Sequence, residues 1–177
     1  MKQALFYFAI TAWAITLIIH ISTFADINLA QYVPIFVLGI GVFAVWIPTV
    51  FKLKNNKNLQ EYQSSNILNR LNPVGFQNIL FKDTPFWLKC LAIGGFLYGF
   101  INFFLFINVG GTTGIQDEQY VLQNHGQIIK FLTEQEFHHY EALETRGISG
   151  HLLIFYGIAA AVLYPFSSQE KTEEKFV

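Results

Sequence analysis

The chain has 177 residues, of which 53% are hydrophobic and only 13% are charged. A soluble domain carries roughly 25% charged residues, so this composition indicates an integral membrane protein. The net charge of −1, with scattered Lys and Arg, excludes the basic surface that nucleic-acid binding requires, and a single cysteine excludes both an intramolecular disulfide and a cysteine-based zinc cluster.

Four apolar segments are long enough to cross a bilayer as helices, namely residues 4–24, 32–51, 86–109 and 148–166. About 20 residues of helix cross a hydrocarbon core of roughly 30 Å. The first segment is longer than the apolar region of a signal peptide, so we expect it to be retained as a span. The sequence therefore predicts an all-α integral membrane fold, in which one domain forms a bundle of four transmembrane helices.

The connection between the second and third spans, residues 52–85, contains recurring apolar pairs among Asn and Gln residues. This pattern predicts one or two short amphipathic helices at the membrane interface, interrupted at Asn72-Pro73-Val74-Gly75. The connection has five basic and two acidic residues, whereas residues 110–147 have two basic and six acidic residues. The positive-inside rule therefore places residues 52–85 and both termini in the cytoplasm, with residues 110–147 outside the cell membrane.

Residues 110–147 are expected to form a small external cap. The stretch QYVLQNHGQIIKFL predicts a β-hairpin whose turn lies at Asn124-His125-Gly126, because glycine suits a left-handed turn position. Thr133 and Glu136 match a capping box, which predicts a short helix from Glu134 to about Thr145, followed by a hinge over residues 146–150. The glycine-rich run over residues 110–114 is expected to be a flexible exit from the third span.

Under this topology all five histidines lie on the external side. His20 and His151 lie at matching depth in the first and fourth spans, and two histidines on neighbouring helices are the minimum for haem ligation by two imidazoles. Trp13, Thr16 and His20 share one face of the first span, which is expected to face the bundle interior. The pair therefore supports the hypothesis of a haem b or quinone site.

A metal site is a second hypothesis for the external histidines. Glu134, His138 and Glu141 lie on one face of the predicted external helix, through spacings of four and three residues. A divalent cation could use this geometry, although the chain has no HExxH motif and no cysteine partner there. A solvated polar helix face is the alternative interpretation.

Two functional hypotheses remain. The preferred one is a non-catalytic accessory protein without a cofactor, which contacts another membrane or secreted protein through its cap. Small-residue spacings such as Gly95-xxx-Gly99 and Gly157-xxx-Ala161 permit close helix packing, within the bundle or in a homo-oligomer. The alternative is a small redox component that binds haem or quinone through His20 and His151. A hydrolase is disfavoured because Ser149-Gly150-His151 lacks the GxSxG elbow.

Overall fold

The computed structural model describes residues 2–107 and 110–164, and four of its helices are long and apolar enough to cross a membrane. The helices are α1 (Lys2–Ser22), α2 (Ile35–Lys54), α3 (Lys57–Ser64), α4 (Ile67–Arg70), α5 (Pro73–Leu80), α6 (Phe86–Ile107) and α7 (Glu134–Leu163). The strands are β1 (Thr112–Gln116), β2 (Gln119–Asn124) and β3 (Gln127–Phe131). The predicted set of four long apolar helices, α1, α2, α6 and α7, is confirmed.

The helix α7 is the centre of the bundle, and α1, α2 and α6 each pack against it. In its apolar part 67% of the residues are buried, against 17–33% in the other three long helices. Buried side chains from three helices, including Phe6, Val45 and Leu88, form one hydrophobic core with Tyr156 of α7. The hydroxyl of Tyr156 donates to the carbonyl of Leu38 at 2.5 Å, which ties α7 to α2.

Glycines allow α6 and α7 to approach closely. A β-carbon at Gly147 would overlap the ring of Phe106, and one at Gly150 would overlap the amide of Asn102. That amide, Nδ2 of Asn102, donates to the carbonyls of Arg146 at 3.2 Å and Gly147 at 3.3 Å. The seam between α6 and α7 is therefore closed by large side chains of α6 seated on bare backbone of α7.

The prediction of a short external helix, a hinge and a separate fourth span is wrong, because α7 is one uninterrupted helix of 30 residues. Gly147 and Gly150 were expected to belong to the hinge, but the structure uses them for helix packing. At 1.5 Å per residue, α7 is about 45 Å long, which exceeds the thickness of a hydrocarbon core. The predicted capping box of Thr133 and Glu136 is confirmed at its first turn.

The cap is a three-stranded antiparallel sheet in the order β1-β2-β3, rather than a hairpin alone. The predicted hairpin is confirmed as β2 and β3, and its turn has His125 and Gly126 with φ of 49° and 79°. Residues 110–114 were expected to be a flexible exit, but the last three of them belong to β1, which pairs along its whole length with β2. The backbone N–H of Thr113 also donates to the carboxylate of Glu144, which holds β1 against α7.

The opposite end of the bundle carries three short helices, α3, α4 and α5, where one or two were expected. Asn72 and Pro73 begin α5 instead of interrupting a helix, because Oδ1 of Asn72 accepts from two backbone N–H groups at 3.1 Å and proline suits the first helical position. We call this end the loop side and the end with the sheet the cap side. The predicted cytoplasmic tail after residue 166 lies outside the described residues, as do the predicted ends of the fourth span at residues 165–166 and of the third span at residues 108–109.

Candidate functional site

The structure does not bring His20 and His151 together. Nδ1 of His20 lies 2.8 Å from Oγ of Ser149, whereas Nδ1 of His151 donates to the carbonyl of Gly147 at 2.7 Å. Ser149 and His151 are two residues apart on α7, which turns their side chains about 200° away from each other. The imidazole of His151 instead packs in a T-shaped arrangement with the ring of Phe103 of α6. A haem held between these two imidazoles does not fit this arrangement.

The residues predicted for an external metal site are only partly together. Nδ1 of His138 lies 3.2 Å from Oε2 of Glu141, and both side chains are partly or fully exposed. Within the ranges that the structure describes, no three His, Cys, Asp or Glu side chains form a group that could hold a metal ion. The neighbouring His139 contacts Oδ1 of Asp26 at 2.9 Å, which links α7 to the turn after α1.

The cap-side end of α1 is held against α7 by Arg146. Nε of Arg146 donates to Oγ1 of Thr23 at 3.1 Å, and its Nη2 donates to the Thr23 carbonyl at 2.5 Å. The guanidinium also lies 4.2 Å from the centre of the Phe24 ring. Because Arg146 is fixed by both backbone and side-chain contacts, it holds the last turn of α1, including His20, in one position relative to α7.

A chain of three hydrogen-bonding side chains links α7, α1 and α6 at this end. Oγ of Ser149 lies 2.6 Å from the carbonyl of Thr145, and a carbonyl can only accept, so the single hydroxyl proton of Ser149 points there. Oγ of Ser149 must then accept from Nδ1–H of His20. Because burial disfavours a charged imidazole, the ring is neutral, and its Nε2 accepts from the hydroxyl of Tyr98 at 2.5 Å.

This chain leaves a free hydrogen-bonding position on Tyr98 alone. Ser149 is fully buried and its hydroxyl proton is engaged, so it cannot act as an exposed nucleophile. Both nitrogens of His20 are engaged, and only 3% of its surface is exposed. Tyr98 is 37% exposed, and its oxygen, having donated its proton to His20, still has lone pairs that can accept.

Tyr98 and His20 lie at the cap-side end of a groove of about 420 Å³ between α1 and α6. The walls are largely apolar side chains of α1 and α6, and Leu153 of α7 contributes to the floor. Gly94 and Gly95 form part of the α6 wall. A β-carbon added at Gly94 would have no described atom within 4 Å. This wall of the groove is therefore open, in contrast to the closed seam between α6 and α7.

Trp13 lies deeper in the same groove, two helical turns below His20 on α1. Its Nε1 is buried and has no hydrogen-bond partner in the described part of the chain. The nitrogen lies beside Gly157 of α7, at 3.5 Å from where a β-carbon would stand. Trp46 shows the ordinary arrangement, because its Nε1 donates to the carbonyl of Phe155 at 3.0 Å.

The cap presents a second notable surface, on strand β3. All five residues of β3 are exposed, including Ile128, Ile129 and Phe131, and no further strand pairs with its outer edge in the described ranges. Lys130 donates to Glu136, and this hydrogen bond raises the pKa of Lys130 above its ordinary value. The one lysine of the cap is thus engaged within the cap, and the remaining surface is acidic.

Part of this site was predicted from the sequence. Trp13, Thr16 and His20 were expected on an inward face of the first span, and the structure buries Thr16 and His20. Tyr98 was missed, because a tyrosine among the aromatic residues of an apolar helix gives no signal of its own. Comparison of the chain with protein-family models, with curated proteins and with solved structures finds no match, so its function must be argued from this geometry.

Proposed function

We propose that this protein is a multi-pass membrane protein that binds a lipid-soluble, amphipathic molecule in the groove between α1 and α6. One observation carries the proposal: the apolar groove is lined by Trp13, whose buried Nε1 has no described acceptor, and by the partly exposed Tyr98, whose Oη can still accept. A molecule with a polar head and an apolar body matches both groups and the walls. The role is binding, and it requires no catalytic residue.

The energetics support a ligand at Trp13. A buried N–H group without a partner costs roughly 1–3 kcal/mol, and water does not reach this one. A small turn of the indole toward the groove would let an oxygen of a bound head group recover that cost. The groove volume of about 420 Å³ lies within the range of roughly 300–1,000 Å³ typical of small-molecule sites. Because the groove lies between two helices that meet the bilayer in this proposal, a ligand would enter from the lipid.

The experiment uses two glycines that have free space around them. Gly94 lines the groove, whereas Gly39 lies on α2 away from it, and a β-carbon at either would meet no described atom within 4 Å. Gly94→Leu should fill the groove, while Gly39→Leu is the matched control. Lipids extracted from the purified proteins are compared by mass spectrometry.

We expect one amphipathic species to be enriched with the wild-type protein and with Gly39→Leu, and to be depleted at least tenfold with Gly94→Leu. Loss of roughly 1.4 kcal/mol of binding free energy is sufficient for a tenfold change. Lipid extracts of the same composition from all three proteins would contradict the proposal.

The proposed orientation places the loop side in the cytoplasm and the cap side outside the cell membrane. The excess of basic residues in residues 52–85 and of acidic residues in residues 110–147 supports it. A reporter that is active only outside the cell should give a signal when it is inserted at Thr113. A reporter after residue 166 should be silent, and the opposite pattern would overturn the orientation.

A second candidate function is that of an accessory protein, and the exposed strand β3 favours it. An open strand edge can accept an extended segment of another protein, and the acidic surface of the cap suits a basic one. A photo-crosslinking residue at Phe131 should then give one discrete protein adduct. Ile129→Lys should abolish the adduct, whereas Gln127→Lys, on the same strand, should keep it. An adduct that survives Ile129→Lys would contradict this function.

A further inference from the structure

We infer that the head of the ligand is a dihydroxylated aromatic ring, of the quinol class, which donates one hydroxyl proton to Oη of Tyr98 and accepts from Nε1 of Trp13. This inference rests on the proposed function of the groove and names the chemistry that the groove selects. Its basis is the direction of each hydrogen bond around His20, together with the unpaired donor at Trp13.

The Tyr98 end of the groove selects a donor. The Thr145 carbonyl takes the proton of Ser149, Ser149 takes the proton of His20, and His20 takes the proton of Tyr98. Every proton in the chain is thus committed in the direction of α7. The hydrogen-bonding position left over is a lone pair of Tyr98, a residue that lines the groove, and a hydroxyl group satisfies it whereas a ketone oxygen does not.

The Trp13 end selects an acceptor, because an indole N–H can only donate. Trp13 and His20 are seven residues apart on one face of α1, which separates their levels by about 10 Å. A six-membered ring with oxygens on opposite carbons, plus a hydrogen bond of roughly 2.8 Å at each end, has a length comparable to the separation of these two helix levels. A head group with a single oxygen would reach one end only.

The walls of the groove suit a flat ring. Gly94 and Gly95 expose a strip of α6 backbone without side chains, against which a planar ring can lie. Trp13 and Phe24 add aromatic surfaces from α1, and aromatic rings favour stacked or edge-on contacts with one another. The apolar tail would leave through the open side of the groove.

The inference predicts a preference between two oxidation states of one ligand. A quinol can make both hydrogen bonds. The matched quinone has two acceptors and no donor, so it satisfies Trp13 and leaves the lone pair of Tyr98 opposite an oxygen. One net hydrogen bond distinguishes the two forms, which corresponds to a preference for the quinol of about three- to tenfold.

The experiment titrates a decyl-substituted 1,4-benzoquinone and its reduced quinol into the protein in lipid nanodiscs, under anaerobic conditions, by calorimetry. Empty nanodiscs correct for partitioning into lipid. Wild type should prefer the quinol, and Tyr98→Phe should remove the preference while quinone affinity is kept. Trp13→Phe should lower the affinities for the quinol and the quinone by a similar factor. Trp46→Phe is the control, because its indole is already bonded to Phe155 and lies outside the groove.

Ser149→Ala provides a second test that leaves Tyr98 in place. Without the Ser149 oxygen, the proton of His20 is no longer held at Nδ1, so the hydrogen bonds of His20 and Tyr98 lose their fixed direction. The ratio of quinol affinity to quinone affinity should then fall toward one. Equal affinity of wild type for both forms, or a preference that survives Tyr98→Phe, would overturn the inference. If neither form binds but Gly94→Leu still depletes an extracted species, the groove function stands and the quinol class is wrong.

Discussion

Two glycines of α6, five residues apart, have opposite surroundings. Gly99 lies against Ile154 of α7, whose side chain fills the space where a β-carbon would stand, whereas Gly94 faces open space between α6 and α1. The same residue type therefore closes one helix contact and leaves the other open. What differs is whether the helix opposite supplies a large side chain at that level.

The polar groups of the two regions differ in the same way. Asn102 in the closed seam donates to two carbonyls of α7, so its burial is compensated. Trp13 beside the open groove has a buried N–H without an acceptor in the described chain. The seam is complete without any other molecule, and the groove is not. This contrast is the physical reason to assign stability to the first region and binding to the second.

The largest expected effect is on the closed seam. Gly150→Val would place a side chain in the volume of the Asn102 amide, so the helices must separate. We expect a loss of about 3 kcal/mol in the free energy of unfolding, measured by denaturant titration in detergent micelles. Gly94→Val is the matched control and should lose less than about 0.5 kcal/mol, because its side chain enters open space. Equal losses for both variants would remove the distinction between the two regions.

A smaller effect is expected when the seam keeps its shape but loses its hydrogen bonds. Asn102→Leu removes both donations to α7 while retaining a side chain of similar size. Hydrogen bonds between membrane helices average roughly 0.6 kcal/mol and reach about 1.7 kcal/mol, so we expect a loss of about 1 kcal/mol. The same titration measures it. An unchanged free energy of unfolding would show that glycine packing alone closes the seam.

The smallest effect should remain outside both regions. Thr133→Ala removes the side-chain acceptor for the N–H of Glu136 at the exposed first turn of α7 and is expected to cost about 0.5 kcal/mol locally. Hydrogen exchange should rise at residues 134–137. Exchange at residues 150–160 should be unchanged, because this part of α7 is held by the bundle. Faster exchange in both ranges would mean that the cap and the seam unfold as one unit.

The sequence predicts the parts of this structure that depend on local patterns. Long apolar runs give the four long helices, Thr133 and Glu136 give the start of α7, and His125-Gly126 gives the turn of the hairpin. Glycines are ambiguous, because Gly147 and Gly150 suit a hinge as well as a close contact. Only the position of Phe106 and Asn102 on the neighbouring helix decides between the two.

The candidate site depends on contacts between distant parts of the chain, and for that reason only half of it could be predicted. His20 and Trp13 share a helix face by their spacing alone. His20 has Ser149 and Tyr98 as its hydrogen-bond partners. Their positions depend on the rotation of α7 and α6 about their axes, which no local pattern determines. His151 lies only two residues beyond Ser149, but its side chain is on the other side of α7, because two residues turn a helix by about 200°.

The central claim is that the buried N–H of Trp13 is completed by a ligand, and the indole resonances of Trp13 and Trp46 test it directly. In nanodiscs made from a single synthetic lipid, ¹H–¹⁵N spectra are compared before and after addition of the decyl-substituted quinol. The Trp13 indole proton should shift downfield as it gains an acceptor, while that of Trp46, already bonded to Phe155, should not move. A Trp13 resonance that stays unchanged at saturating quinol, or a Trp46 resonance that shifts equally, would contradict the account.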